Sequence, residues 1–257
     1  MCGICGCSEE QHEHEHEHGH ADQPVHAHTH ASRTGRLRLR APDTLKIEQS
    51  LLSKNQRFAE QNRRFLAERS CLAVNLMGSP GAGKTALLEA TLRQVPGLPL
   101  LVLEGDQATE RDAERIRRAG CRALQINTGT GCHLDAHAVG HGLASLAPAP
   151  GSTIIFENVG NLVCPALFDL GESVRIVVLS VTEGDDKPLK YPHMFRACDV
   201  LILNKIDLLP YVEFDVTRAC DYARRLKPEL QIFAVSATRG DGMASLCEWL
   251  RTRGAAR

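Results

Sequence analysis

Aromatic side chains make up only 4% of the 257 residues, and there is a single tryptophan. So thin a supply of stacking surfaces argues against a platform for single-stranded nucleic acid. Net charge is also scarce: 30 basic against 31 acidic residues leave a formal −1. No global field therefore draws nucleic acid or an anionic membrane to the chain. No apolar run approaches the roughly 20 residues of a membrane span, and the first residues lack the basic-then-apolar order of a secretory leader. A cytoplasmic protein with no membrane span and no nucleic-acid partner is expected. The length allows one well-buried core, with or without an appendage.

Cysteine is plentiful, with ten in the chain. In a reducing compartment they are not expected to pair. Cys71, Cys121, Cys198, Cys220 and Cys247 lie singly in strand or helix patterns and read as small buried hydrophobes. Cys2, Cys5, Cys7, Cys132 and Cys164 differ because of their neighbours.

Residues 1–43 do not read as a folded domain. Eight of the twelve histidines fall between His12 and His30, alternating first with Glu and then with Ala and Thr. A segment with almost no large apolar side chains cannot offset the entropy of ordering itself. The tract resembles a low-affinity metal reservoir. Three thiolates at Cys2, Cys5 and Cys7, with the terminal amine, could form a tetragonal Ni²⁺ site.

Residues 44–257 read as a P-loop NTPase domain with a leading helix over 45–69, marked by Leu45, Leu52, Phe58, Phe65 and Leu66. Strands are expected at 71–77, 98–103, 122–126, 153–156, 174–181, 200–203 and 231–235. Helices are expected from 84, at 109–119, from 134, and at 188–196, 216–226 and 242–251. Near-continuous apolar strands separated by helices describe an α/β fold, a mostly parallel sheet covered on both faces. Ligands in such sheets bind at the carboxyl ends of the strands.

The motifs sit at those ends. Residues 78–85 read G-S-P-G-A-G-K-T. Gly78, Gly81 and Gly83 let the backbone turn its N–H groups inward around phosphate oxygens, with Ser79 and Ala82 completing the loop. Lys84 is expected to reach the β- and γ-phosphates and Thr85 to place its hydroxyl on Mg²⁺. Residues 204–207 read N-K-I-D, with Asn204, Lys205 and Asp207 as guanine readers. A carboxylate there accepts from both N1–H and N2–H of guanine, a donor pair that adenine lacks. Ser236 and Ala237 look like the loop that backs the guanine carbonyl. Both signals together indicate GTP. Asp106 and Glu157, at two further strand ends, are the candidates for Mg²⁺, directly or through water, and Asp106 is also the candidate to orient the attacking water. No counterpart of the glutamine of signalling GTPases is evident, so slow intrinsic hydrolysis is expected.

Cys132-His133 lies in T-G-T-G-C-H-L-D-A, and Cys164 lies in E-N-V-G-N-L-V-C-P. Thiolate with imidazole suits Zn²⁺ or Ni²⁺. His137 and His141 continue from His133 at i+4 steps and read as helix-surface histidines. Cys164 is four residues past Gly160, in a stretch expected to sense the γ-phosphate. GTP state is therefore expected to alter metal affinity, and metal to alter nucleotide affinity by the same factor.

Taken together, G-S-P-G-A-G-K-T, E-G-D-Q-A-T-E-R-D, T-G-x-G-C-H-L-D-A, E-N-V-G-N-L-V-C-P, V-T-E-G-D-D-K-P-L-K-Y-P and N-K-I-D resemble HypB. That is the GTPase family that helps deliver nickel during maturation of nickel–iron (NiFe) hydrogenase. The resemblance spans roughly residue 45 to the C-terminus, and the N-terminal C-x-x-C-G-C matches members with a high-affinity nickel site. It implies a parallel P-loop sheet of the class that dimerises with nucleotide, and GTP-dependent insertion of nickel by a metallochaperone. Cys2, Cys5 and Cys7 would be nickel ligands, and Cys132, His133 and Cys164 a nickel or zinc site near the dimer interface. Lys187 and Lys190 would lie near that interface. The implied partners are a HypA-like nickel accessory protein and the NiFe-hydrogenase large-subunit precursor. A urease-type nickel-accessory GTPase would carry C-P-H, whereas Cys164-Pro165 is followed here by Ala166. A nickel storage or buffering protein would need no guanine-reading loop.

Overall fold

Leu72–Gly78 is buried at every position. In the computed structural model it forms β1, the middle strand of a seven-stranded sheet. The structure describes residues 42–106 and 110–255. Cys2, Cys5, Cys7 and the histidine tract lie outside the described residues.

The other strands are β2 (Leu100–Asp106), β3 (Arg122–Asn127), β4 (Thr153–Glu157), β5 (Val174–Ser180), β6 (Val200–Asn204) and β7 (Gln231–Ala234). Their order is β3-β2-β4-β1-β5-β6-β7. All six neighbouring pairs are parallel. This is a P-loop NTPase fold. Because β1 pairs with β4 and β5 rather than with β2, the chain leaves β1 to one side and returns on both. Loops after these strands therefore diverge around one crevice at the carboxyl edge.

Alternation along β1 assigns its side chains to two layers. Leu72, Val74 and Leu76 pack with Leu87 and Leu88 of α2 (Lys84–Gln94) and Leu246 and Leu250 of α8 (Met243–Ala255). Ala73 faces the other layer, with Leu66 of α1 (Pro42–Glu68) and Val139 and Leu143 of α4 (Ala136–Leu146). Met77 joins Leu179, Phe195 of α6 (Pro192–Ala197) and Ala223 of α7 (Val216–Leu226) in a third apolar cluster. Each large side chain so buried contributes about 1.5–3 kcal/mol. None of the described helices is long and apolar enough to cross a membrane.

Several expected boundaries shift for local reasons. The helix expected over 188–196 is two pieces, α5 (Lys187–Lys190) and α6, parted at Tyr191 (φ −125, ψ 53). Pro192 disfavours the helical region for the residue before it. The leading helix begins at Pro42, inside the segment assigned to the tail; proline is tolerated in a first turn because its missing N–H has no helical partner there. The helix α3 is Arg111–Arg118, shorter than the expected 109–119. The helix expected from 134 starts at Ala136, because Asp135 caps it by accepting from the Ala138 N–H at 2.8 Å. Cys132 and His133 thus remain in the preceding loop.

The helix α1 does more than lead into the core. Asn55 donates to the Asp169 carbonyl at 2.7 Å and accepts from the Ala136 N–H at 2.8 Å. Asn62 donates to the carbonyls of Ala136 (2.7 Å) and Leu170 (2.9 Å). Both amides are buried, and they fasten α1 to the segments that follow Cys132-His133 and Cys164.

Candidate functional site

Tight turns build the loop after β1. Gly81 and Gly83 adopt φ of 75 and 95, a region closed to most side chains. A Cβ at Gly83 would also come within 2.5 Å of Asn204 Nδ2. The N-terminus of α2 follows directly, bringing Lys84 and Thr85 to the crevice with its positive dipole end. Lys84 is buried, and desolvation pushes its ammonium down from the usual lysine range, with Glu157 opposing.

The N-K-I-D segment braces this loop. Asn204 Nδ2 donates to the Ala82 carbonyl at 3.0 Å, and Asn204 Oδ1 accepts from the Ala237 N–H at 3.3 Å. Lys205 takes a left-handed backbone (φ 63) and donates to the Gly81 carbonyl at 2.7 Å. Ser236 Oγ donates to Asp207 Oδ1 at 2.6 Å, which holds the carboxylate in one orientation. The five residues 204, 205, 207, 236 and 237 form one connected patch beside the phosphate loop.

A cleft of about 560 Å³ opens over the carboxyl edge. It is lined by Gly81, Gly83, Lys84, Thr85, Glu104, Asp106, Glu157 and Gly160, and also by Cys132 and Lys205. Glu157 Oε1 accepts from the Thr85 hydroxyl at 2.8 Å. Burial pushes Glu157 up to about 7, against the pull of Lys84. Burial, and then the charges of Glu157 and Asp106, push Glu104 up to about 8. Among the described residues, Glu104 Oε2 and Glu157 Oε2 are buried without a hydrogen-bond partner. A hydroxyl and clustered carboxylate oxygens with spare lone pairs suit a hard divalent cation, so the residues fit Mg²⁺.

The metal candidates also meet. The ligand atoms of Cys132, His133 and Cys164 lie within 4.8 Å of one another. The two Sγ atoms are 3.0 Å apart, and Cys132 Sγ is 3.7 Å from His133 Nδ1. Cys164 begins a short 3₁₀ turn, Cys164–Ala166, and is fully buried. The His133 ring lies 3.9 Å from Phe168, centroid to centroid. Desolvation pushes its imidazole down, against Asp135, favouring the neutral form that ligates soft cations.

One sequence expectation changes here. His133 does not share a helical face with His137 and His141, because α4 starts after it. His137 and His141 stay exposed on α4, their Nε2 atoms 3.2 Å apart. Lys187 and Lys190 are matched within their own loop, to Glu183 (3.7 Å) and Asp186 (2.6 Å). Sequence reasoning missed Glu104, Asp112 and Arg115 as lining residues of the cleft. Glu104 was findable, since it sits two residues before Asp106 and shares its strand face. Asp112 closes the E-G-D-Q-A-T-E-R-D segment, whereas Arg115 carries no such signal.

The family described as CobW/HypB/UreG, nucleotide-binding domain, matches residues 72–234. The hydrogenase maturation factor HypB of Rhizobium leguminosarum bv. viciae is 53% identical over 214 residues, covering 83% of this chain and 72% of its own. Among solved structures, hydrogenase maturation factor HypB from Archaeoglobus fulgidus is 39% identical with a TM-score of 0.74, covering 79% of this chain and 99% of its own. HypB from Helicobacter pylori in complex with nickel is 37% identical with a TM-score of 0.75, covering 79% and 96%.

Proposed function

The chain belongs to the HypB family of hydrogenase maturation factors, within the CobW/HypB/UreG group, and on that premise we propose that it is a GTP-hydrolysing nickel metallochaperone. It assists GTP-dependent insertion of nickel into the large-subunit precursor of a NiFe hydrogenase, in the cytoplasm, as a GTP-dependent homodimer working with a HypA-like accessory protein. The observation that carries this reading is shared space. Cys132 lines the same cleft as Lys84, Thr85 and Glu157, and its sulfur lies within ligand distance of Cys164 and His133.

The roles follow from placement. The N–H groups of residues 78–85 other than Pro80, which has none, and the Lys84 ammonium grip the phosphates. Asn204 and Lys205 hold that loop in shape, and the Asp207 carboxylate, steadied by Ser236, reads the guanine donors, with Ala237 backing the base. Thr85, Asp106 and Glu157 are the side chains to hold Mg²⁺, which when bound neutralises charge on the phosphates. Asp106 orients the attacking water. Cys132, His133 and Cys164 supply three ligands to Ni²⁺ or Zn²⁺, leaving a fourth position for water or a second subunit. Cys2, Cys5 and Cys7 form a separate nickel site. A storage protein would need none of the guanine-reading patch, so the relation between the two sites is what separates the readings.

The test uses the full chain with Cys2, Cys5 and Cys7 changed to Ser and the eight histidines between His12 and His30 changed to Gln. Nickel stoichiometry is measured by equilibrium dialysis with GDP and with a non-hydrolysable GTP analogue. The expected result is saturable nickel binding that disappears on further change of Cys132 or Cys164 to Ala and that differs between the two nucleotides. Nickel binding indifferent to both the cysteine changes and the nucleotide would overturn the reading.

A further inference from the structure

Residue 158 follows directly on Glu157, whose carboxylate meets the Thr85 hydroxyl. Its backbone N–H still donates to the Leu76 carbonyl at 3.0 Å, so it is fixed to the edge of β1. Its side chain is almost wholly buried, and the residue lines the cleft with Thr85 and Glu157. Asn158 Oδ1 accepts from two backbone donors, the Leu134 N–H at 3.0 Å and the Val159 N–H at 3.1 Å. The first belongs to the loop carrying Cys132 and His133. The second opens the loop that runs through Gly160 to Cys164. One oxygen therefore ties both ligand-bearing loops to the strand end beside Thr85.

The orientation of this amide follows from its partners. Asn158 Nδ2 donates to Asn75 Oδ1 at 3.2 Å, and Asn75 Nδ2 donates to Glu172 Oε1 at 3.3 Å. Glu172 also accepts from Arg175 Nε (2.5 Å) and from the Leu170 N–H (2.7 Å). Glu172 Oε1 accepts from the guanidinium of Arg175, which can only donate, so Asn75 turns its NH₂ toward that oxygen and its own oxygen toward Asn158. Asn158 must then turn its NH₂ toward Asn75, leaving its oxygen for Leu134 and Val159. Buried networks satisfied throughout have one arrangement and resist a second. Room for compliance is also small at Gly160, where a Cβ would come within 2.9 Å of Pro80 Cα in the phosphate loop.

We propose that Asn158 is the positioning residue through which the nucleotide state felt at Thr85 and Glu157 reaches the Cys132-His133-Cys164 cluster. The inference rests on the functional reading above and adds its route. Displacement of the strand end by a terminal phosphate moves Oδ1, and Oδ1 carries Leu134 and Val159 with it. Coupling is then a property of one amide rather than of Cys164 alone.

The experiment uses the full chain with Cys2, Cys5 and Cys7 changed to Ser and the eight histidines between His12 and His30 changed to Gln. Nickel affinity is measured with GDP and with a non-hydrolysable GTP analogue, and the thiolate-to-nickel absorption band is recorded in both states. The readout is the ratio of the two affinities, which cancels any uniform weakening. The parent is expected to give a ratio of about 5–150 and a band that shifts between nucleotides. In Asn158→Ala and the milder Asn158→Ser the ratio is expected to fall to within about twofold of one, with the same band in both states. Variants that retain the parent ratio sink this inference while leaving the functional reading intact. A parent that binds no nickel at the cluster sinks both. Should both variants fail to fold, hydrogen exchange at the Leu134 amide of the parent decides. A rate that differs between GDP and the analogue supports the route, and an identical rate overturns it.

Discussion

Cys132 Sγ and Cys164 Sγ stand 3.0 Å apart across 32 residues of sequence. The contact joins a loop after β3 to a loop after β4, and only the parallel order of the sheet brings those two ends to one edge. It also sets these sulfurs apart from the remaining described cysteines, which are scattered through the packed layers.

That separation predicts a labelling pattern. Burial pushes Cys121 up to about 11 and Cys198 up to about 12, so neither offers thiolate at pH 8. Iodoacetamide followed by peptide mass mapping should leave both unmodified in the native chain. Cys132 should react, and added Zn²⁺ or Ni²⁺ should protect it. Modification of Cys121 and Cys198 at the rate of Cys132, or no protection by metal, would contradict the assignment.

Removal of the Thr85 hydroxyl should separate magnesium from nucleotide. In Thr85→Ala the partner of Glu157 is lost, and with it one expected ligand. The Mg²⁺ requirement for binding the GTP analogue should weaken, and hydrolysis should fall by about 100-fold or more. An unchanged Mg²⁺ titration would remove Thr85 and Glu157 from the cation site.

Base selection should reside in Asp207. Asp207→Asn replaces an acceptor pair with one acceptor and one donor, and a mismatched buried polar group discriminates strongly. The preference for GTP over ATP should drop by about 100-fold or more. Ser236→Ala frees the carboxylate without removing it, so a smaller loss of about tenfold is expected, in line with one hydrogen bond to a charged group. Competition binding with both nucleotides measures each. Equal losses in the two variants would mean that Ser236 touches the base itself.

Glu104 and Glu157 predict a pH dependence for the magnesium-free chain. Their pKa values, about 8 and about 7, lie above the ordinary 4.5. Between about pH 4.5 and pH 8 the folded chain keeps protons that the unfolded chain has released, so this contribution to stability declines as pH rises and then levels. With EDTA present, Glu104→Gln should therefore gain thermal stability relative to the parent on going from pH 5.5 to pH 8. A difference in Tm that stays constant across that range would show that Glu104 ionises normally.

The fold was largely legible because buried parallel strands carry unbroken runs of Val, Ile and Leu, and all seven were found within a few residues. The loop after β1 was legible for a different reason, since its tight left-handed turns at Gly81 and Gly83 leave few residue choices. What escaped notice depends on distances across the sheet. Nothing local in Asn55 or Asn62 announces that an amide on α1 will hold the Ala136 backbone. Arg115 reached the cleft edge unseen for the same reason, its placement set by Glu89 and Asp112. The break at Tyr191 was readable in principle from Pro192, but the charged run before it mimicked one continuous helix.

The strand order has a consequence for synthesis. Neighbours of β1 on both sides come from β4 and β5, so Leu72–Gly78 leaves the ribosome with two bare edges. At about 5–20 residues per second it stays so for several seconds. Such an unpaired apolar strand is a natural customer for a chaperone at the exit tunnel. A chain stalled before Thr153 would present the phosphate-loop sequence with neither strand that flanks β1 in place.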